Sequence, residues 1–163
     1  MDKPTFVYVT YIKTAADKVW RALTDGEVTR QYWVNHRNAS DWKVGSTWQH
    51  EDYDNPKTID IVGTVVESER PRRLVVTWAD PKDANNPAKR SRVSYDIAED
   101  GDMVRLTVTH DQLEPDSDMA KGVIEGWPSV LSSLKTLLET GTPLPSMWTR
   151  EGRNWKKLRF ASR

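Results

Sequence analysis

Between Thr5 and Lys13 the chain reads TFVYVTYIK, with Phe6, Tyr8, Thr10 and Ile12 on one side of an extended segment and Val7, Val9 and Tyr11 on the other. Period-two alternation predicts a strand, here with apolar groups on both faces. The period then changes. Ala16, Val19, Trp20 and Leu23 recur at i, i+3, i+4 and i+7, which predicts a short amphipathic helix, with Thr14 as its N-cap and Asp17 three residues on. Gly26 is expected to close that helix in a left-handed C-cap. Asp25 is then expected to cap a second short helix carrying Val28, Tyr32 and Trp33.

From Trp42 onward strands and turns alternate. Strands are expected over Ser46–Asp52, Thr58–Ser68, Arg73–Ala79, Lys89–Ala98 and Met103–Asp111. Turn chemistry separates them: Asp54-Asn55-Pro56, Arg70-Pro71, the polar stretch 80–88, and Glu99-Asp100-Gly101-Asp102. Consecutive strands with such short links predict an antiparallel meander. On the last, Val104, Leu106, Val108 and His110 alternate with Arg105, Thr107 and Thr109, so one face is covered and one is wet. The cover is the segment Asp116–Thr140, where Val123, Trp127, Val130, Leu131, Leu134, Leu137 and Leu138 form a helical apolar stripe ended by Gly141 and Pro143. Gly126 and Pro128 interrupt it, which predicts a kink or break near Trp127.

Composition narrows the function classes. Lys plus Arg equals Asp plus Glu at 24 each, so no net field points to nucleic acid, an anionic membrane or an acidic substrate. With no cysteine there is no disulfide framework, thiol nucleophile or cysteine-based zinc site, and a reducing cytoplasm is compatible. No signal core and no apolar run of about 18 residues is present, so a soluble, unprocessed, cytoplasmic protein is expected, without a membrane span. His36, His50 and His110 lack ligand spacing, and the acidic run Glu51-Asp52-Tyr53-Asp54 lacks the glycine and terminal glutamate of a calcium loop. That run reads as a solvated strand end. No metal and no cofactor is expected.

The eight tryptophans are spread along the chain. Large rings fill cores, and they also line ligand pockets, which are mostly apolar with a few polar anchors. Alternation puts Trp48 with His50, Leu74 and Val76 with Trp78, and Val93 and Ile97 with Tyr95 on inward faces. Joined by Trp33, His110, Trp127 and Leu131, these residues are the candidate ligand-binding set, with polar points at His50, Tyr95 and His110.

Several stretches, taken in order, resemble a known family: YIKTAADKVWRALTDGEVTRQYW, DWKVGSTW, GTVVESERPRRLVVTW, SRVSYDIAEDGDMVRLTVTHDQL and GWPSVLSSLKTLLETG. They are similar to the family named for the activator of heat-shock-protein ATPase, within the START, polyketide-cyclase and birch-pollen-allergen (SRPBCC) superfamily. The resemblance covers about residues 5 to 141. It implies an α+β helix-grip (START-like) fold: a curved antiparallel sheet wrapped around a long C-terminal helix, two short helices after the first strand, and an internal cavity for apolar molecules. The eukaryotic namesake stimulates a chaperone ATPase with the help of an additional N-terminal domain. A chain that starts at its first strand leaves no room for one, so chaperone activation is not expected here.

Residues 1–141 are read as the START-like domain and 142–163 as a basic, aromatic C-terminal tail. From Ser146 the tail holds Arg150, Arg153, Lys156, Lys157, Arg159 and Arg163 against Glu151, with Trp148, Trp155, Leu158 and Phe160 among them. Packing of those aromatics on the domain is favoured over docking on an acidic partner, a neighbouring subunit or nucleic acid. The leading functional expectation is non-catalytic binding of a small hydrophobic or aromatic molecule in the cavity. Two alternatives stand beside it: a cyclase-like or hydrolytic enzyme with His50 or His110 as proton carrier, and a co-chaperone-like protein-interaction module. A homodimer is left open.

Overall fold

The computed structural model describes residues 2–145, so all but the first four residues of the tail expected at 142–163 lie outside the described residues. The elements are β1 (Phe6–Ile12), α1 (Ala16–Thr24), α2 (Gly26–Tyr32), β2 (His36–Ser40), β3 (Thr47–Asp52), β4 (Ile59–Glu69), β5 (Arg73–Trp78), β6 (Ser91–Asp100), β7 (Met103–Asp111) and α3 (Asp118–Thr140). All seven strands form one antiparallel sheet in the order β1-β7-β6-β5-β4-β3-β2. The helix-grip expectation therefore holds, with one strand more than sequence reasoning found. His36-Arg37-Asn38-Ala39-Ser40 has no apolar alternation to reveal a strand. It is held instead by β3 and by α2, whose Thr29 hydroxyl accepts from the Asn38 backbone N–H at 3.0 Å.

Other local expectations are corrected. Ala15, not Thr14, is the α1 N-cap, and no side chain bonds there. Gly26 is not a left-handed cap; it opens α2, while Asp25 caps that helix by accepting from Glu27 N–H at 2.9 Å. At α3 the expected break is absent: one helix runs through Pro128, capped by the Ser117 hydroxyl at its start and by left-handed Gly141 at its end. Its buried stripe, Val123, Trp127, Val130, Leu131, Leu134 and Leu137, carries the packing that outweighs the proline.

The inner sheet face packs on that stripe. Val104, Leu106, Val108 and His110 of β7 are buried, as are Leu74, Val76 and Trp78 of β5 and Val93, Tyr95 and Ile97 of β6. The sheet's curvature is set at β-bulges between His50 and Glu51 on β3 and between Val65 and Glu67 on β4. At Gly63 the backbone of β5 comes so close that a Cβ would sit 1.9 Å from the Thr77 carbonyl and 2.4 Å from the Trp48 indole nitrogen. The missing side chain lets Trp48 Nε1–H reach across β4 to donate to Thr77 C=O at 2.7 Å.

Candidate functional site

Beneath α3, rings from six elements or their ends converge. Trp33 ends α2, Trp48 and His50 come from β3, Trp78 from β5, Tyr95 from β6, His110 from β7 and Trp127 from α3. Trp127 is central: its ring centre lies 5.4 Å from Trp33, 5.6 Å from Trp78, 6.0 Å from Tyr95 and 6.2 Å from His110. Trp48 packs on Trp78 at 5.3 Å, and His50 on Trp33 at 4.8 Å. Leu131, one helical turn beyond Trp127, is buried in the same core. Thus all eight residues singled out from the sequence face inward and belong to one core.

They are packed against each other. None exceeds 3% exposure, so the rings are closed off from solvent in this conformation. Surface hollows lie elsewhere, one of about 660 Å³ beside the β4–β5 turn and one of about 430 Å³ under the β5–β6 connection. Of the eight, only Trp48 borders either.

The polar atoms inside are organised, and their protons can be placed. Trp127 Nε1–H donates to His110 Nδ1 at 3.1 Å. An indole nitrogen only donates, so His110 Nδ1 is unprotonated and its proton sits on Nε2. From there it donates to Ser91 Oγ at 2.8 Å, and the Ser91 hydroxyl donates onward to Trp78 C=O at 3.1 Å. Burial lowers the His110 pKa to about 3, so the ring is neutral at ordinary pH. Both of its nitrogens are engaged, which leaves no lone pair for a substrate proton. Burial likewise pushes the Tyr95 phenol well above its ordinary range.

A second polar group was missed from the sequence. His36 stacks on His50 with ring centres 4.9 Å apart and planes within 15°. Its Nδ1–H donates to Val34 C=O at 2.7 Å, and its Nε2 lies 2.8 Å from the buried Asp60 carboxylate. His50 Nδ1–H in turn donates to Asn38 Oδ1 at 2.7 Å. Asp60 and Asn38 carry no sequence signal of this role, because strand β2, which supplies Asn38 and His36, was itself not legible. Glu51, expected at a solvated strand end, is instead buried and held by Arg37 at 2.6 Å. Among the described residues no group of three or more histidines, aspartates or glutamates could hold a metal ion. No helix there is long and apolar enough to cross a membrane.

A single antiparallel sheet closed over one long terminal helix, with a ring-filled interior and two short helices after its first strand, defines a helix-grip protein. The chain belongs to the family described as Activator of Hsp90 ATPase homolog 1-like protein, whose pattern residues 13–139 match. Solved structures share the fold. A protein of Mesorhizobium loti, 24% identical, aligns over 83% of this chain and 96% of its own with a TM-score of 0.69. An Hsp90 activator from Plasmodium falciparum, 18% identical, aligns over 82% and 95% with a TM-score of 0.67. The Aha1 dimer from Colwellia psychrerythraea, 21% identical, aligns over 85% and 98% with a TM-score of 0.67. At such identities the likeness is one of fold. No curated protein matches the chain.

Proposed function

We propose that this protein binds a small planar aromatic molecule, one carrying an N–H or O–H donor, in the space that the Trp127 indole now fills. The observation that supports the reading is the bond from Trp127 to His110 Nδ1 inside a box of rings. The box is thus shaped for an aromatic donor. Trp127 sits beside Pro128, which has no N–H to give to the Ile124 carbonyl, so this turn of α3 is the least costly place to open.

Magnitude decides what the guest must be. Moving a buried indole of roughly 200 Å² into water costs about 5 kcal/mol. Only a guest that buries a comparable ring area offsets that loss, which favours bicyclic over monocyclic ligands. His110, neutral and saturated, serves as acceptor rather than proton carrier, so a binding role is favoured over catalysis. A cytoplasmic setting accords with the absence of cysteine.

Titration with indole, a naphthol and a short-chain fatty acid, followed by tryptophan fluorescence, tests the proposal. Saturable quenching or shift by the aromatic donors, weaker with the fatty acid, is expected. No change with any aromatic donor would contradict it. A second reading, a protein-interaction module like the Hsp90 activator of shared fold, is favoured by one observation: Val7, Val9 and Tyr11 lie 42–55% exposed on the outer sheet face.

A further inference from the structure

Between β4 and β5 one step of the ladder is replaced by side chains. Val62 and Ala79 exchange both backbone bonds at 2.9 Å, and by antiparallel alternation the next pair to do so is Thr64 with Thr77. Instead, Thr64 N–H donates to the Thr77 hydroxyl at 2.8 Å, and Thr77 C=O accepts from the Trp48 indole at 2.7 Å. Inward Trp48, Val65 and Trp78 set Gln49, Thr64 and Thr77 on the outer sheet face. There the opened step forms the floor of the hollow of about 430 Å³.

The β5–β6 connection roofs it, and its sequence holds one shape. Two single 3₁₀ turns, Pro81–Asp83 and Pro87–Lys89, each begin with proline and carry a side-chain cap. Asp80 accepts from Lys82 N–H and Asn86 from Ala88 N–H, both at 3.1 Å. Half-buried Arg90, at the end of the connection, ties back to its middle by donating from Nη2 to Ala84 C=O at 3.2 Å. The hollow is therefore preformed, as small-molecule sites usually are.

Its lining selects the occupant. Arg90 is the charged residue that borders it, and among the described residues Arg90 enters no ion pair. One of the five guanidinium N–H donors is spent on Ala84, which leaves a bidentate edge for a carboxylate. A cation would find no acidic side chain among the described residues of the lining. A dianion would be only half neutralised by one guanidinium. A purely apolar guest would strip water from the Gln49 and Asn85 amides, which have no partner among the described residues, and return no hydrogen bond.

From this lining we infer that the hollow binds a small organic monocarboxylate carrying an amide or hydroxyl group. The carboxylate sits on Arg90, the polar body bonds to Gln49 and Asn85, and the carbon skeleton lies against Val62 and Ala79.

Residue-resolved ¹⁵N–¹H correlation spectra test this, with N-acetylalanine as the probe and neutral N-acetylalaninamide and inorganic phosphate as controls. The Trp48 indole and Thr64 amide resonances, whose bonds border the hollow, move saturably with N-acetylalanine and not with the controls, while the Trp127 indole stays in place. Arg90→Gln keeps an N–H donor but removes the charge, and weakens the probe about tenfold. Gln49→Ala, which leaves the roof untouched, weakens it about threefold. Absence of a saturable shift overturns the inference, as does an equal response to the amide or an unchanged affinity in Arg90→Gln. An equal response to phosphate reduces Arg90 to an adventitious anion contact and overturns it as well. Indole binding beneath α3 is read at Trp127 and does not involve Arg90, so either site can fail without the other.

Discussion

His110 is held neutral by its surroundings, and this sets a pH dependence. Its folded pKa, about 3, lies below the ordinary 6.5, so below pH 6.5 the unfolded chain binds a proton that the folded chain refuses. Its contribution to stability is therefore intact above pH 6.5 and is lost as pH falls toward 3, at up to about 1.4 kcal/mol per pH unit. Urea unfolding at pH 7 and pH 5 checks this. Wild type is expected to lose about 2 kcal/mol more than His110→Asn, which accepts and donates without titrating; equal losses would contradict the assignment. The inward placement of His110, His50 and Tyr95 was legible because strand alternation assigns faces directly. Their partners were not. Ser91, Asn38 and Asp60 look like ordinary surface polar residues until the sheet register sets Val93 opposite His110 and Asn38 opposite His50.

At the scale of elements, α3 carries the conflict between local propensity and packing. Proline in a helix interior costs about 3 kcal/mol, yet the helix continues because its buried stripe is anchored on both sides of Pro128. Pro128→Ala restores the N–H to Ile124 C=O, so thermal unfolding should shift upward. If opening of that turn admits the guest, indole affinity should fall at the same time. A variant that is more stable and binds as well would show that α3 is not the route. The sequence located Pro128 and both helix ends but overestimated the break, since propensity carries no information about what the helix packs against. It missed β2 for the converse reason, because that strand is polar and is held by α2 and β3 rather than by its own pattern. Where the apolar signal was strong, as on β7 and β5, strand and face were both read correctly.

On the scale of the whole molecule, the fold turns one sheet face into an aromatic interior. The interior rings are packed on one another in the conformation described, so a guest enters by exchange with a side chain, and Trp127 is the side chain whose bond a guest can reproduce. The ordered succession of family-like segments was enough to identify the helix grip. The filling of its interior was not readable, because alternation reports which rings point inward and not whether they touch. The most direct measurement follows the indole N–H resonances in a ¹⁵N–¹H correlation spectrum as indole is added. The Trp127 resonance should move from the position of an N–H bonded to imidazole toward that of a solvated indole, while the His110 Nδ1 remains an acceptor. Indole N–H resonances that stay unmoved up to the solubility limit of the ligand would show that the aromatic cluster is core alone, and would contradict the binding function.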